Sequence, residues 1–382
     1  MSIKGELLIR GGTVIDPARG FFGETDILIT NGRVADTGIG QTVSAERTID
    51  ANGCLVLPGL IDYHTHVFQG GTEIGFYPDS ALLPQGVTTA VDQGSAGITN
   101  FESFFKTIIN TSQMRILAYL HVSPAGLATL TRCLEPVDPK LFDGERIGSL
   151  LKQFRSHIVG LKIRQSKEIV GDLGVAPLAA TIRMADKIGC GVVVHTTNPP
   201  GEVEDMLTLL RAKDVYTHVF QGKGSNILTN SAKVRESVRQ ARERGIVFDT
   251  ADGRGHYAFS VIKAALAQGF EPDVISTDLV RGSLFDRSVF GLPMIMSKYL
   301  TMGIPLYKVI EACTAAPARL LGMEGKLGTL QPGAYGDVSV FKLQDSNLLL
   351  EDSFGETIRC TQVFAPQMTV LGGKIVYRSL EL

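Results

Sequence analysis

Between Leu55 and Leu321 the chain repeats one unit, an apolar strand followed by a stretch of helical spacing. The strands read LVLPGLIDYHTH, VTTAVDQG, RILAYLHV, VGLKIR, GVVVHT, DVYTHVF, GIVFDT and PDVISTDL. Helical stretches separate most of them: Asn100–Ser112, DGERIGSLLKQFRSHI, GVAPLAATIRMADKIG, GEVEDMLTLLRAKD, SAKVRESVRQARERG and YAFSVIKAALAQGF. More helix is expected over Gly291–Leu321. Val234, Val238 and Ala241 fall on one helical face, the mark of a helix laid on a sheet. Strand, helix, strand at this spacing means right-handed parallel crossovers. Eight such units favour a closed (β/α)8 TIM barrel over an open doubly wound sheet. No GxGxxG follows an early strand, which weakens the dinucleotide-binding alternative.

The two ends carry a different pattern. ELLIRGGTVID, DILITNGRVADTG and RTIDANG are short strands with turns, and Asn31-Gly32 is a hairpin signal. DVSVFKL and MTVLGGKIVYR at the other end look alike. The expectation is one small β domain built from both ends, residues 1–55 and 325–382, flanking a barrel over 56–324. The hexapeptide THVFQG occurs twice, at Thr65–Gly70 and Thr217–Gly222. The copies fall on the first and sixth strands. A half-barrel duplication would place them four strands apart, so the repeat reads as local similarity.

Composition narrows the class of function. The 37 basic and 39 acidic residues leave a net charge of −2, and no basic stripe appears, so nucleic acid is not an expected partner. No apolar run approaches the ~18 residues of a membrane span. The start MSIKGELLIRGG lacks the apolar core of a signal peptide. Five scattered cysteines without a CxxC pair read as reduced thiols in a cytoplasmic protein.

The histidines carry the chemistry. His64 and His66 are two apart at the end of a strand, so their side chains share a face. His195, His218 and Asp278 each end a later strand. Any one of them alone would be an ordinary hydrogen-bonding residue. Together they gather at the rim where TIM barrels place their active sites, and imidazole with carboxylate suits zinc and related metals. Lys162 lies within an apolar strand, where burying an ammonium is costly. Either it snorkels to the rim or it is neutral or converted to an anion. Arg164, on the same face, could hold a substrate carboxylate or form a rim salt bridge. His121 and His256 also end or follow strands and are weaker candidates for substrate contact.

LVLPGLIDYHTH, the segment GKLGTLQPGAYGDVSVF, and the ordered set HxH, Lys, His, His, Asp resemble the amidohydrolase superfamily of metal-dependent hydrolases. The match is to its subgroup with two metals bridged by a carboxylated lysine. The resemblance implies a barrel with a split β-sandwich and two divalent ions, expected as zinc. His64, His66 and Asp278 would hold one ion, His195 and His218 the other, and the carbamate of Lys162 would bridge them. It further implies a bridging hydroxide that attacks an amide or ester carbonyl, with Asp278 moving the proton.

QGGTEIGFYPDS through GVTTAVDQGSAG, with LKIR, is similar to bacterial deacetylases labelled dihydroorotase-like. GRGHYAF departs from that pattern. The leading expectation is deacetylation of a small, carboxylate-bearing substrate. A cyclic-amide hydrolase of the dihydroorotase or hydantoinase type is the alternative. A non-catalytic scaffold is the third reading, and the complete ligand set argues against it. Barrels of this kind often associate, so a homo-oligomer is also expected. In both THVFQG copies the histidine would be a ligand, with Phe68 and Phe220 shielding the site.

Overall fold

The computed structural model describes residues 2–36, 42–284 and 290–382. Seven parallel strands run side by side in chain order: Leu60–Thr65, Val87–Gln93, Arg115–His121, Ile158–Arg164, Gly191–His195, Val215–Thr217 and Val247–Asp249. The eighth staves in as an irregular segment. Val274 bridges to Asp249 on one side and Leu279 bridges to Thr65 on the other, both parallel. The Asp278 amide donates to the His64 carbonyl at 2.8 Å, and the His66 amide donates to the Leu279 carbonyl at 3.0 Å. The barrel expected from eight repeats is therefore closed. The last segment is irregular because Asp278 sits at φ 52°, which breaks a regular ladder.

Helices cover the outside. The helix Ala176–Ile188 shows why the sequence folds this way. Pro177 sits in its first turn, where a missing N–H costs nothing. Gly189 ends it at φ 81°, its amide donating to the Ala185 carbonyl at 2.8 Å. Leu178, Ile182 and Ala185 lie on one face and are buried. Each of the two larger side chains contributes roughly 1.5–3 kcal/mol by leaving water.

Inside the barrel, Ile61, Tyr63, Val91, Leu117, Tyr119, Val193 and Val215 form a cluster. The hydroxyls of Tyr63 and Tyr119 meet at 2.5 Å. Strict alternation from Ile61 and Tyr63 would send His64 outward. A register irregularity between Asp62 and Thr65 re-aims the chain, so that His64 and His66 face the rim.

The termini form the β domain that their patterns imply. One sheet has the order Lys374–Arg378, Thr357–Leu371, Val338–Glu351, Leu55–Pro58, Thr13–Asp16, Phe21–Glu24, interleaving strands from both ends. A second sheet contains Arg33–Val34, Ile27–Thr30, Ser2–Arg10 and Thr42–Asp50. Leu7, Ile29, Val56, Val338 and Met368 share the core between them. Asn31 and Gly32 both have positive φ, the primed hairpin turn expected there.

The hairpin of Val338–Glu351 and Thr357–Leu371 reaches from this domain to the barrel. At its tip Asp352 accepts from the Phe259 amide at 2.7 Å, and the Tyr257 hydroxyl donates to the Glu351 carbonyl at 2.8 Å. The segment after the seventh strand is thereby tied down. Among the described residues no helix is long and apolar enough to cross a membrane.

Candidate metal centre

At the C-terminal mouth of the barrel the expected ligands converge. Nε2 of His64 and of His66 lie 3.4 and 3.2 Å from Oδ1 of Asp278. His218 Nε2 lies 2.7 Å from His195 Nδ1, and the His256 ring stands 4.3 Å from that of His218, centroid to centroid. Two groups result, His64 with His66 and Asp278, and His195 with His218 and His256. Within each, the ligand atoms lie within 4.8 Å of one another. The groups adjoin: the rings of His64 and His218 are 5.4 Å apart, and His256 Nε2 is 3.5 Å from Asp278 Oδ2. Lys162 Nζ is 3.4 Å from His64 Nε2.

Which nitrogen faces the centre is set from behind. His218 Nδ1 is 2.6 Å from the Ala251 carbonyl, so it must carry the proton and leave Nε2 as a lone pair. His66 Nδ1 meets the Ser95 hydroxyl at 3.1 Å, and His256 Nδ1 meets the Thr197 hydroxyl at 2.8 Å. Lone pairs and a carboxylate thus point at one another in a buried space. This donor set fits divalent cations with imidazole and carboxylate ligands. His218 and Asp278 both hold positive φ (60° and 52°), strain of the kind that collects at functional sites.

The electrostatics agree. Burial, and then neighbouring positive groups, push His64, His195 and His218 well below the ordinary imidazole range, so they are neutral and able to ligate near neutral pH. Burial brings the Lys162 amine down from 10.5 to about 7. Burial pushes Asp278 up, but the His66 hydrogen bond and the surrounding imidazoles outweigh it and hold the carboxyl at about 2. Beneath the centre, burial raises Asp62 to about 7 and Asp249 to about 8.

Most of these candidate ligands open into a cavity of about 420 Å³. His64, His66, Lys162, Arg164, His195, His256 and Asp278 line it, with Ile74, Leu127, Leu130 and Val280 among the apolar residues of its wall. Arg164 reaches the cavity, but one of its terminal nitrogens is held by both oxygens of Glu135 at 3.1 and 3.0 Å. The rim salt bridge is therefore formed.

His121 is buried and absent from the cavity lining. Its Nδ1 accepts from the Ser123 amide at 2.9 Å, and its Nε2 lies 3.9 Å from Glu135. Phe68 and Phe220 do not shield the site. Phe68 packs on Phe104 and Phe220 on Tyr299, both in the core outside the strands. Glu135, Ser95 and Thr197 left no signal in the sequence. Asp249 did leave one, since it ends the strand GIVFDT as Asp278 ends PDVISTDL.

The family model described as the amidohydrolase family matches residues 55–376. A deacetylase of Agrobacterium fabrum (strain C58) is 38% identical over 360 residues, covering 93% of this chain and 87% of its own. A deacetylase of Enterococcus faecalis is 29% identical, covering 97% and 98%. Among solved structures, a dihydroorotase superposes with a TM-score of 0.85 at 34% identity, covering 98% of each chain. An adenine deaminase superposes with a TM-score of 0.90 at 28% identity, covering 98% of this chain and 100% of its own.

Proposed function

The chain belongs to the amidohydrolase family and is a hydrolytic enzyme, and on that premise we propose that it removes an acetyl group from a small acylated substrate at a centre of two divalent ions. One observation supports this most: two three-residue groups of candidate ligands adjoin, five of the six residues line one cavity, and a buried lysine stands beside His64. His64, His66 and Asp278 would hold the first ion, and His195 and His218 the second. Bound there, two ions, expected as zinc, supply Lewis acidity toward a carbonyl oxygen and lower the pKa of water.

The chain's own residues do the rest. Lys162 Nζ, depressed to about 7, is substantially unprotonated near neutrality. As a free amine it can form a bond to the carbon of carbon dioxide and release one proton to solvent, giving a carbamate anion whose charge would suit two divalent ions. Asp278, ionised, accepts a proton at Oδ2 or Oδ1 and returns it to the leaving group. His256, 3.5 Å from Asp278 and facing the cavity, is placed to touch the leaving group. Ile74, Leu127, Leu130 and Val280 exclude water and accept an apolar part of the substrate. Arg164, already neutralised by Glu135, keeps its remaining donors for a substrate carboxylate. His121 lies behind Glu135 and takes no part in contact with substrate. The free cysteines suit a cytoplasmic enzyme.

A cyclic-amide hydrolase is the second reading, favoured by the similarity to a dihydroorotase. The four aliphatic side chains of the wall speak for the first, because they suit an acyl methyl better than the N–H and C=O groups of a cyclic ureide. The test is a panel of N-acetyl amino acids, O-acetyl hydroxy acids, cyclic ureides and adenine. Turnover is expected on acetylated acids. Turnover confined to ureides or adenine would overturn the deacetylase reading and leave the family intact.

A further inference from the structure

The seventh barrel strand ends on a carboxylate that the chemistry above does not use. Asp249 is fully buried. Its Oδ1 accepts from the Ser276 hydroxyl at 2.6 Å, which braces the group. Its Oδ2 lies 3.5 Å from Nδ1 of His64. Neither of these two atoms has a hydrogen-bond partner among the described residues. Buried polar atoms rarely go unpaired, and here two are left facing each other. On the other side of the same ring, Nε2 faces Lys162 Nζ and Asp278 Oδ1, each at 3.4 Å.

The neighbouring ligands show what this face of a ring is for. His66 and His218 each have Nδ1 held, by a hydroxyl and by a carbonyl, and each turns Nε2 to the centre. His64 turns Nε2 to the centre in the same way, and the carboxylate that faces its Nδ1 is that of Asp249. An ionised carboxylate only accepts, and a neutral imidazole has one N–H. With Asp249 ionised, as a cation held beside His64 would keep it, the pair is complementary when the His64 proton sits on Nδ1.

We propose that Asp249 is a positioning residue for His64. It accepts the Nδ1–H, after a small turn of the ring, and fixes the tautomer that leaves the Nε2 lone pair at the first ion's position. This rests on the reading of His64 as a ligand. Outer carboxylates of this kind typically change metal affinity by about 10–100-fold.

The test titrates zinc into metal-free wild type, Asp249→Asn and Asp249→Ala against a chelating indicator, with melting of the metal-free proteins as the control for folding. Wild type is expected to take two zinc ions per chain. Asp249→Asn should bind one of them about tenfold more weakly, and Asp249→Ala up to about 100-fold more weakly.

A second measurement needs no variant of Asp249. In metal-free wild type labelled with ¹⁵N-histidine and held at about pH 9.5, above the value of about 8 to which burial raises Asp249, the His64 ring, assigned by its loss in His64→Gln, should be protonated on Nδ1. Protonation on Nε2, or variants that bind both ions like wild type, would overturn the role of Asp249 alone. Wild type that binds no zinc would overturn the metal reading and this inference with it.

Discussion

Replacing Lys162 by methionine should stabilise the metal-free protein while disabling it. Lys162 is 1% exposed, and burial draws its amine from 10.5 to about 7. Holding the ammonium there costs up to about 5 kcal/mol relative to water. The sign follows from linkage. The folded pKa lies below the unfolded one, so the penalty is present in full below about pH 7 and fades as pH rises toward the unfolded value. Methionine keeps the stem that packs over Gly94, where an added Cβ would stand 2.8 Å from Lys162 Cβ.

Urea unfolding in chelator and carbon-dioxide-free buffer reads the effect. The variant should exceed wild type by several kcal/mol at about pH 6, and by only about 1–2 kcal/mol at about pH 9.5. The same variant should lose bound metal and hydrolysis. Equal stability at the lower pH, or a gap that does not shrink with rising pH, would refute the claim that a buried ammonium is the penalty.

Two further outcomes follow from the same geometry. Asp278→Asn keeps an oxygen beside His64 and His66 but cannot take a proton, so metal should be retained while kcat falls about 10²–10⁴-fold; near-normal rates would remove Asp278 from proton transfer. Lys298 and Asp252 form a fully buried pair at 2.5 Å behind the segment carrying His256, with the Tyr299 hydroxyl on the other Asp252 oxygen at 2.9 Å. Lys298→Met strands that carboxylate and should cost about 3–5 kcal/mol in urea unfolding; a change within experimental error would show that the pair contributes nothing net.

Much of this was legible in the sequence because the relevant signals are local. Alternating apolar strands and helical spacings define a barrel without any knowledge of contacts. Candidate ligands at strand ends are visible because a barrel gathers those ends at one mouth. Lys162 stood out because an ammonium does not belong in an apolar strand. What was hidden depends on contacts between distant segments. Glu135 holds Arg164 from a loop 29 residues away, and nothing in either neighbourhood announces the pair. The irregular eighth stave reflects the positive φ of Asp278, which an apolar run does not reveal. Phe68 and Phe220 were expected at the site because they follow ligands by two residues. The chain turns after each histidine, and both rings enter the outer core instead.

Metal content tests the central claim most directly. The protein should be produced with zinc and bicarbonate, dialysed, and assayed for metal per chain together with hydrolysis of acetylated acids. Two ions per chain are expected, with activity lost on chelation and restored on adding zinc back. Hydrolysis by protein that holds no metal, or no metal bound after supplementation, would contradict a dinuclear hydrolase.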